Sequence, residues 1–377
     1  MFFDTEFHSA DDAREIAQKR LPWIIFDYID GAAGTGYGEE LNRTMIRGLR
    51  LKTRVLNNVE KRNITVKLFG NQTKLPFGIS PMGMCNLAGH GTDLALARLA
   101  AKYSIPHGVS TASSTSLETI IRHAEGNAWF QLYFSGNEES SNSLIKRAED
   151  AGYKTLVLTV DVPEVARRPR ELRRGFKMPF RIGPRQFVDF ALHPTWSLST
   201  LFHGRPELAN FGGAFGEFDR TSSRAGADWN FLSRIRDRWT GNLVVKGVLD
   251  TDDAVRLKKQ GVDAIQVSSH GGRQLDSAIP PIQALQNIRA AVGEEYPLFF
   301  DTGLRSGEDI IKAYAMGASF VFLGRPFSFA RAASGMSGPE RLANILAEET
   351  SIVLAQLGIT DIASVSSALT SDGAKNG

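Results

Sequence analysis

The chain has 377 residues, 42% of them hydrophobic and 23% charged, with a formal net charge of +3. That composition suits a globular protein able to bury a large core and argues against disorder, a basic nucleic-acid arm or a disulfide framework, since Cys85 is the single cysteine. No run of ~18 apolar residues is present, so no membrane-spanning helix is expected. The start Met1-Phe2-Phe3-Asp4 lacks the basic and apolar regions of a cleaved export signal.

Residues 1 to about 70 precede the first strand pattern and are expected to form a helical extension. Short apolar runs then follow at Pro76–Ser80, Pro106–Ser110, Trp129–Tyr133, Thr155–Thr159, Leu243–Lys246, Ala264–Ser268, Pro297–Asp301 and Phe320–Gly324. They show no polar alternation, which is the pattern of buried parallel strands. Helical periodicity fills Ser143–Asp150, Asp252–Lys259 and Ser306–Ala315, and Ser306 with Asp309 resembles a capping box. Each of these helices stops at a glycine, Gly152, Gly261 or Gly317, and a strand follows at once. Eight strands alternating with helices predict an α/β fold, a closed (β/α)8 TIM barrel, as one domain over residues 1–377. A long irregular insertion separates the fourth strand from the fifth, and so long a loop is more often functional than passive.

Barrel enzymes place their chemistry at the C-terminal ends of the strands. Nine residues beyond the cap glycine lie Asp161 in one repeat and His270 in the next, both just past a strand end. His270, before the flexible Gly271-Gly272 turn, reads as a base, and Arg273 as a two-pronged carboxylate binder. Asp161 reads as the carboxylate that orients the imidazole. The alternatives are a buried histidine beside a surface arginine, and a loop-capping aspartate. Lys246 closes an otherwise apolar strand, either snorkelling at the edge or aimed into the mouth. Asp301-Thr302-Gly303-Leu304-Arg305 and Gly324-Arg325-Pro326 end the last two strands, where glycine backbones and arginines suit a phosphate. Arg167, Arg170, Arg173 and Arg174 read as solvated loop charges. The histidines show no metal-ligand spacing, so no metal is expected.

The run Ser268-Ser269-His270-Gly271-Gly272-Arg273-Gln274-Leu275-Asp276 closely resembles the signature of FMN-dependent 2-hydroxy acid oxidases and dehydrogenases. The likeness extends from about Leu21 to Ser364 and takes in Phe26-Asp27-Tyr28, Phe130-Gln131-Leu132-Tyr133, Thr159-Val160-Asp161, Arg168, Val245-Lys246-Gly247, Asp301-Thr302-Gly303 and Gly324-Arg325-Pro326. The resemblance implies oxidation of a 2-hydroxy acid to the 2-keto acid with FMN as cofactor. His270 would be the base and Asp161 its partner. Tyr28, Arg168 and Arg273 would bind the substrate carboxylate, and Tyr133 would act at the reacting hydroxyl. Lys246 would lie by the flavin N1 and O2, with Pro81, Met82, Gly83, Ser110, Gln131, Thr159 and Ser268 around the ring. Asp301 would hold the ribityl chain, and Gly303, Arg305, Gly324 and Arg325 the phosphate.

Departures from the family pattern sharpen the expectation. Ser269 replaces a usual asparagine and Thr302 a frequent glycine, and neither touches the base or the arginines. Ala112 and Val165 are small where short-chain oxidases carry bulk, so the pocket should suit an aromatic or branched substrate. Gly83 resembles members that react poorly with oxygen. Leu192–Leu198 and His203–Phe211 resemble the membrane-binding segment of the bacterial (S)-mandelate dehydrogenase subfamily. Independently, residues 176–215 are rich in phenylalanine with Trp196, and Lys177, Arg181, Arg185 and Arg205 outnumber Asp189 and Glu207, a mixture suited to a lipid interface. The expected setting is therefore peripheral, on the cytoplasmic face of an inner membrane, with a quinone acceptor. The likeness also implies a homotetramer. A cytoplasmic enzyme is the alternative location. The chemical rivals are an oxidase that releases peroxide and an FMN barrel of another reaction class.

Overall fold

The computed structural model describes residues 5–134, 136–176, 183–211 and 223–369. The eight expected strands are all present and parallel: β3 (Phe77–Met82), β4 (His107–Ser110), β5 (Ala128–Leu132), β6 (Thr155–Thr159), β7 (Asn242–Val248), β8 (Ala264–Val267), β9 (Leu298–Phe300) and β10 (Phe320–Leu323). They pair in chain order, and β10 closes on β3 to complete a barrel.

Alternation along each strand sorts the interior into layers. Trp129, Val157, Val244, Ala264, Phe299, Phe320 and Phe322 fill the lower barrel as one apolar cluster. Two residues further along β5, β6, β7 and β8 the same inward face carries Gln131, Thr159, Lys246 and Gln266, all buried. The change from apolar to polar within one turn of the pleat marks the C-terminal end as the chemical end.

The segment before β3 is more than helices. After α1 (Ala10–Arg20), α2 (Trp23–Asp30) and α3 (Tyr37–Gly48) comes an antiparallel hairpin of β1 (Val66–Leu68) and β2 (Asn71–Thr73). Leu68 and Phe69 from this hairpin pack on the lower interior cluster and so close the opposite end of the barrel. The glycine stops hold as left-handed residues, with φ of 93° at Gly152, 74° at Gly261 and 103° at Gly317. Ser306 caps its helix through the Asp309 N–H, but Asp309 reaches back to the Arg305 N–H at 2.9 Å instead of closing a reciprocal box.

The insertion is not irregular where it is described. Pro169–Arg174, Pro184–Leu192, Pro194–His203 and Trp229–Arg238 are helices. Three of them begin on proline, which suits the first helical turn because its missing N–H has no partner there anyway.

Candidate active site

A cavity of 1040 Å³ opens at the C-terminal end of the barrel. Of the expected site residues, Tyr28, Pro81, Met82, Gly83, Ser110, Tyr133, Arg168, Lys246, His270, Arg273, Asp301, Gly303, Arg305, Gly324 and Arg325 line it. Gln131, Thr159, Asp161 and Ser268 stand behind its wall.

The centre is His270. Its Nδ1 lies 3.0 Å from Asp161 Oδ1, so Nδ1–H donates to the carboxylate and the Nε2 lone pair is left on the other edge of the ring. Nε2 lies 3.3 Å from the Tyr133 hydroxyl. Burial lowers the pKa of His270 below the ordinary imidazole value, against the opposing pull of Asp161, and keeps the ring neutral and basic. The residue sits at φ 56°, a left-handed conformation uncommon outside glycine, and its N–H donates to Ser268 Oγ at 3.0 Å. Burial and the charge of Asp161 push the Tyr133 phenol above its usual range, so its proton stays on oxygen.

Lys246 projects from β7 into the polar layer. Its Nζ lies 2.8 Å from Ser268 Oγ and 3.1 Å from Asp301 Oδ2. Burial alone raises the pKa of Asp301, but the Lys246 charge and the Ser80 hydroxyl hold it below the carboxylate range. Gln131 donates to Thr159 Oγ1 at 2.9 Å, and its own Oε1 is buried with no partner among the described residues. Such an acceptor calls for a donor from a bound group.

Two guanidinium pairs line the cavity. Arg273 donates to Glu171 Oε1 at 2.8 Å and to the Gly31 carbonyl at 2.6 Å, and lies over the Tyr28 ring. Arg168 meets the same Glu171 oxygen at 3.3 Å. The second pair is Arg305 and Arg325, which act on one another's charge, and Arg325 donates to the Gly271 carbonyl at 2.7 Å. Burial and Arg325 push the Arg305 guanidinium down to about 9, a cost that an anion bound there would relieve. Arg305 Nε also lacks a partner among the described residues.

Several site residues were not apparent from the sequence. Glu171, three residues after Arg168, is buried between the two substrate-side arginines. Phe176 stacks on Tyr28 at 4.4 Å. Arg224 is buried over the Tyr133 ring at 5.4 Å from its centroid and lines the cavity. Two arginines read as solvated are structural instead: Arg170 bridges Asp27 at 2.6 Å and Asp30 at 2.9 Å, and Arg174 reaches Asp27 at 2.8 Å. These bonds lock helix Pro169–Arg174 onto α2, which carries Tyr28.

The helical pair Pro184–Leu192 and Pro194–His203 has two unlike faces. Inward, Asp189 accepts from the Trp23 and Ile24 N–H groups at 2.8 and 3.0 Å and so caps α2. Trp196, expected in the interface, is buried and donates its indole N–H to the Leu87 carbonyl at 2.8 Å. Outward, Phe187, Val188, Leu192 and Leu198 are exposed, and Leu201 and Phe202 keep 78% and 82% of their surface in solvent. So concentrated an apolar face marks an interaction surface. Lys177 and Arg181 lie outside the described residues. Among the described residues no helix is long and apolar enough to cross a membrane, and no cluster of potential metal ligands occurs.

Residues 17–372 match the model of the FMN-dependent dehydrogenase family. The chain is 38% identical over 370 residues to (S)-mandelate dehydrogenase of Pseudomonas putida, an alignment covering 95% of this chain and 92% of that one. It is 34% identical over 371 residues to an L-lactate dehydrogenase of Pseudomonas syringae pv. syringae (strain B728a), covering 96% and 97%. A solved structure of the monotopic membrane protein (S)-mandelate dehydrogenase superposes with a TM-score of 0.91 at 37% identity, over 96% of this chain and 98% of that one. The chain belongs to the FMN-dependent dehydrogenase family and is an FMN-dependent 2-hydroxy acid oxidoreductase.

Proposed function

We propose that the protein oxidises an (S)-2-hydroxy acid with an aromatic or branched side chain, mandelate-like before lactate-like, at a membrane surface. The observation that carries this reading is the His270–Asp161 contact of 3.0 Å with Nε2 turned towards Tyr133, beside the Arg168–Arg273 pair. Arg273 and Arg168 hold the substrate carboxylate as a planar fork, and Tyr28 supports it from the α2 side. His270 Nε2 takes a proton from the substrate, and Asp161 stabilises the imidazolium that forms. Tyr133, protonated, steadies the substrate oxygen. The small side chains of Ala112 and Val165 in the cavity wall leave room for a ring.

The residues present fit FMN: a flat wall of Pro81, Met82 and Gly83, a cation in Lys246, the orphaned acceptor of Gln131, and the anion-seeking Arg305 and Arg325. Gly303 and Gly324 join those arginines at the phosphate, Asp301 holds the ribityl chain, and Ser110, Thr159 and Ser268 complete the ring site. When bound, FMN supplies the acceptor for the two electrons lost by the substrate carbon.

The outward face of residues 184–203 rests in the headgroup layer without crossing it. The membrane relative supports this placement, as does the apolar face itself. Electrons then pass to a membrane quinone, with Gly83 in keeping with weak reaction with oxygen, on the cytoplasmic side and in a homotetramer. Anaerobic mixing of the purified flavoprotein with (S)-mandelate, L-lactate and glycolate tests the substrate class. Flavin bleaching should be fastest with (S)-mandelate, and faster bleaching with glycolate would reject the roomy-pocket reading.

A further inference from the structure

The phosphate end of the cavity already holds a carboxylate. Glu39 Oε1 lies 3.4 Å from Arg305 Nη2 and 3.7 Å from Arg325 Nη2, so one oxygen faces both guanidiniums. Glu39 stands in the first turn of α3, and the main chain there cannot withdraw. Asp276 accepts from the Thr35 and Gly38 N–H groups, each at 2.8 Å, and Gly272 presses so close that a Cβ on it would come within 2.9 Å of Glu39 Cα. The side chain has room on its other side. It borders a second cavity of 420 Å³ that also presents Arg14, Arg43 and Arg173, of which Arg14 is paired with Asp30 and Arg43 with Asp11, and Glu39 acts on the charge of Arg14. The carboxylate therefore faces Arg305 and Arg325 on one side and a cavity lined by further arginines on the other.

We propose that Glu39 is a resident anion of the phosphate end: it neutralises Arg305 and Arg325 when no cofactor phosphate is there, and must yield to that phosphate when FMN binds. This rests on the reading that Arg305 and Arg325 take the phosphate. A phosphate monoester brings a charge of about −1.5 to −2 at neutral pH, and it outcompetes a single carboxylate for two arginines. The displaced carboxylate turns towards Arg14 and Arg43. Glu39 thus weakens cofactor retention, and it does so only for flavins that carry the phosphate.

The test measures release of FMN and of riboflavin from the full-length flavoprotein, exchanged with each flavin, by recovery of flavin fluorescence on dilution. Glu39→Gln and Glu39→Ala should each tighten FMN by roughly tenfold while leaving riboflavin unchanged, because only the phosphate meets the removed charge. Retained riboflavin affinity also reports that the variants fold. FMN held no more tightly, or FMN and riboflavin affected alike, overturns the proposal; weaker FMN would mean that Glu39 positions the arginines instead. Arg325→Gln tests the underlying reading separately. It should loosen FMN and spare riboflavin, and equal loss of both flavins places the phosphate elsewhere.

Discussion

Replacing Asp161 with asparagine tests the centre of the site most directly, because it keeps the shape and removes one charge. The ring and the carboxylate are 3.0 Å apart and mostly buried, with side-chain exposures of 19% and 12%. Opposite unit charges at that distance attract by about 5 kcal/mol at an effective dielectric of ~20. With the proton about half transferred at the barrier, about 2.5 kcal/mol of that attraction is in play, which is roughly a 50- to 100-fold slower step. If the asparagine amide turns its N–H towards Nδ1, the tautomer is wrong as well and the loss grows. The pH profile carries an independent sign. His270 acts as the neutral base, so activity is lost as pH falls through its pKa, which burial already sets below 6.5. Asp161 opposes that depression, so Asp161→Asn should move the acid limb of kcat/KM to still lower pH. Anaerobic stopped-flow reduction of the bound flavin measures both quantities. A loss smaller than about tenfold, or an acid limb displaced upwards, would refute the assignment.

Three further outcomes are expected. His270→Ala should retain FMN and lose flavin reduction by substrate, since it removes the base whose Nε2 faces Tyr133; near-normal reduction in stopped flow rejects the role. Arg273→Lys should raise KM by roughly tenfold or more and change kcat less, because an ammonium cannot reproduce the planar fork shared with Arg168 and Glu171. Changing Leu201 and Phe202 together to serine removes the two most exposed apolar side chains of the helical pair, so the protein should pelt less with membranes and keep its dye-linked activity. Unaltered partition between pellet and supernatant would take the membrane contact away from this face.

The barrel and its chemical end were legible because both are written locally. Buried parallel strands lack alternation, the three helix-ending glycines need left-handed geometry, and His270 and Asp161 fall at the same offset from their caps. What was not legible depends on contacts across the fold. Glu171 and Arg170 look like ordinary solvated charges within a run of arginines until Pro169–Arg174 docks on α2. The insertion was expected to be irregular, whereas Pro184 and Pro194 each open a helix. Trp196 looked interfacial by composition, yet its indole N–H found the Leu87 carbonyl and turned the ring inward. Phe187, Leu201 and Phe202 carry the outward face instead.

Four basic side chains of the cavity share one arrangement, each standing beside a carboxylate. Lys246 faces Asp301 at 3.1 Å, His270 faces Asp161 at 3.0 Å, Arg273 faces Glu171 at 2.8 Å and Arg305 faces Glu39 at 3.4 Å. A buried charge left alone costs several kcal/mol, so Lys246, Arg273 and Arg305, and the imidazolium that His270 would form, each gain from a carboxylate of another element. The pairs nevertheless differ in what a ligand asks of them. At Lys246 the carboxylate stays and holds a fixed ammonium in place, and at His270 it stays and steadies the imidazolium that would form. At Arg273 and Arg305 the ligand brings its own anion to a guanidinium already in use. Glu171 is buried against both Arg168 and Arg273, so on the proposed roles a substrate carboxylate would share the arginines with it. Glu39 is more exposed, at 23% of its side chain, and borders a second cavity, which fits the proposal that a stronger anion displaces it. On the proposed roles the substrate end shares its arginines and the phosphate end exchanges one anion for another, and Glu171→Gln should lower the thermal unfolding midpoint more than Glu39→Gln does.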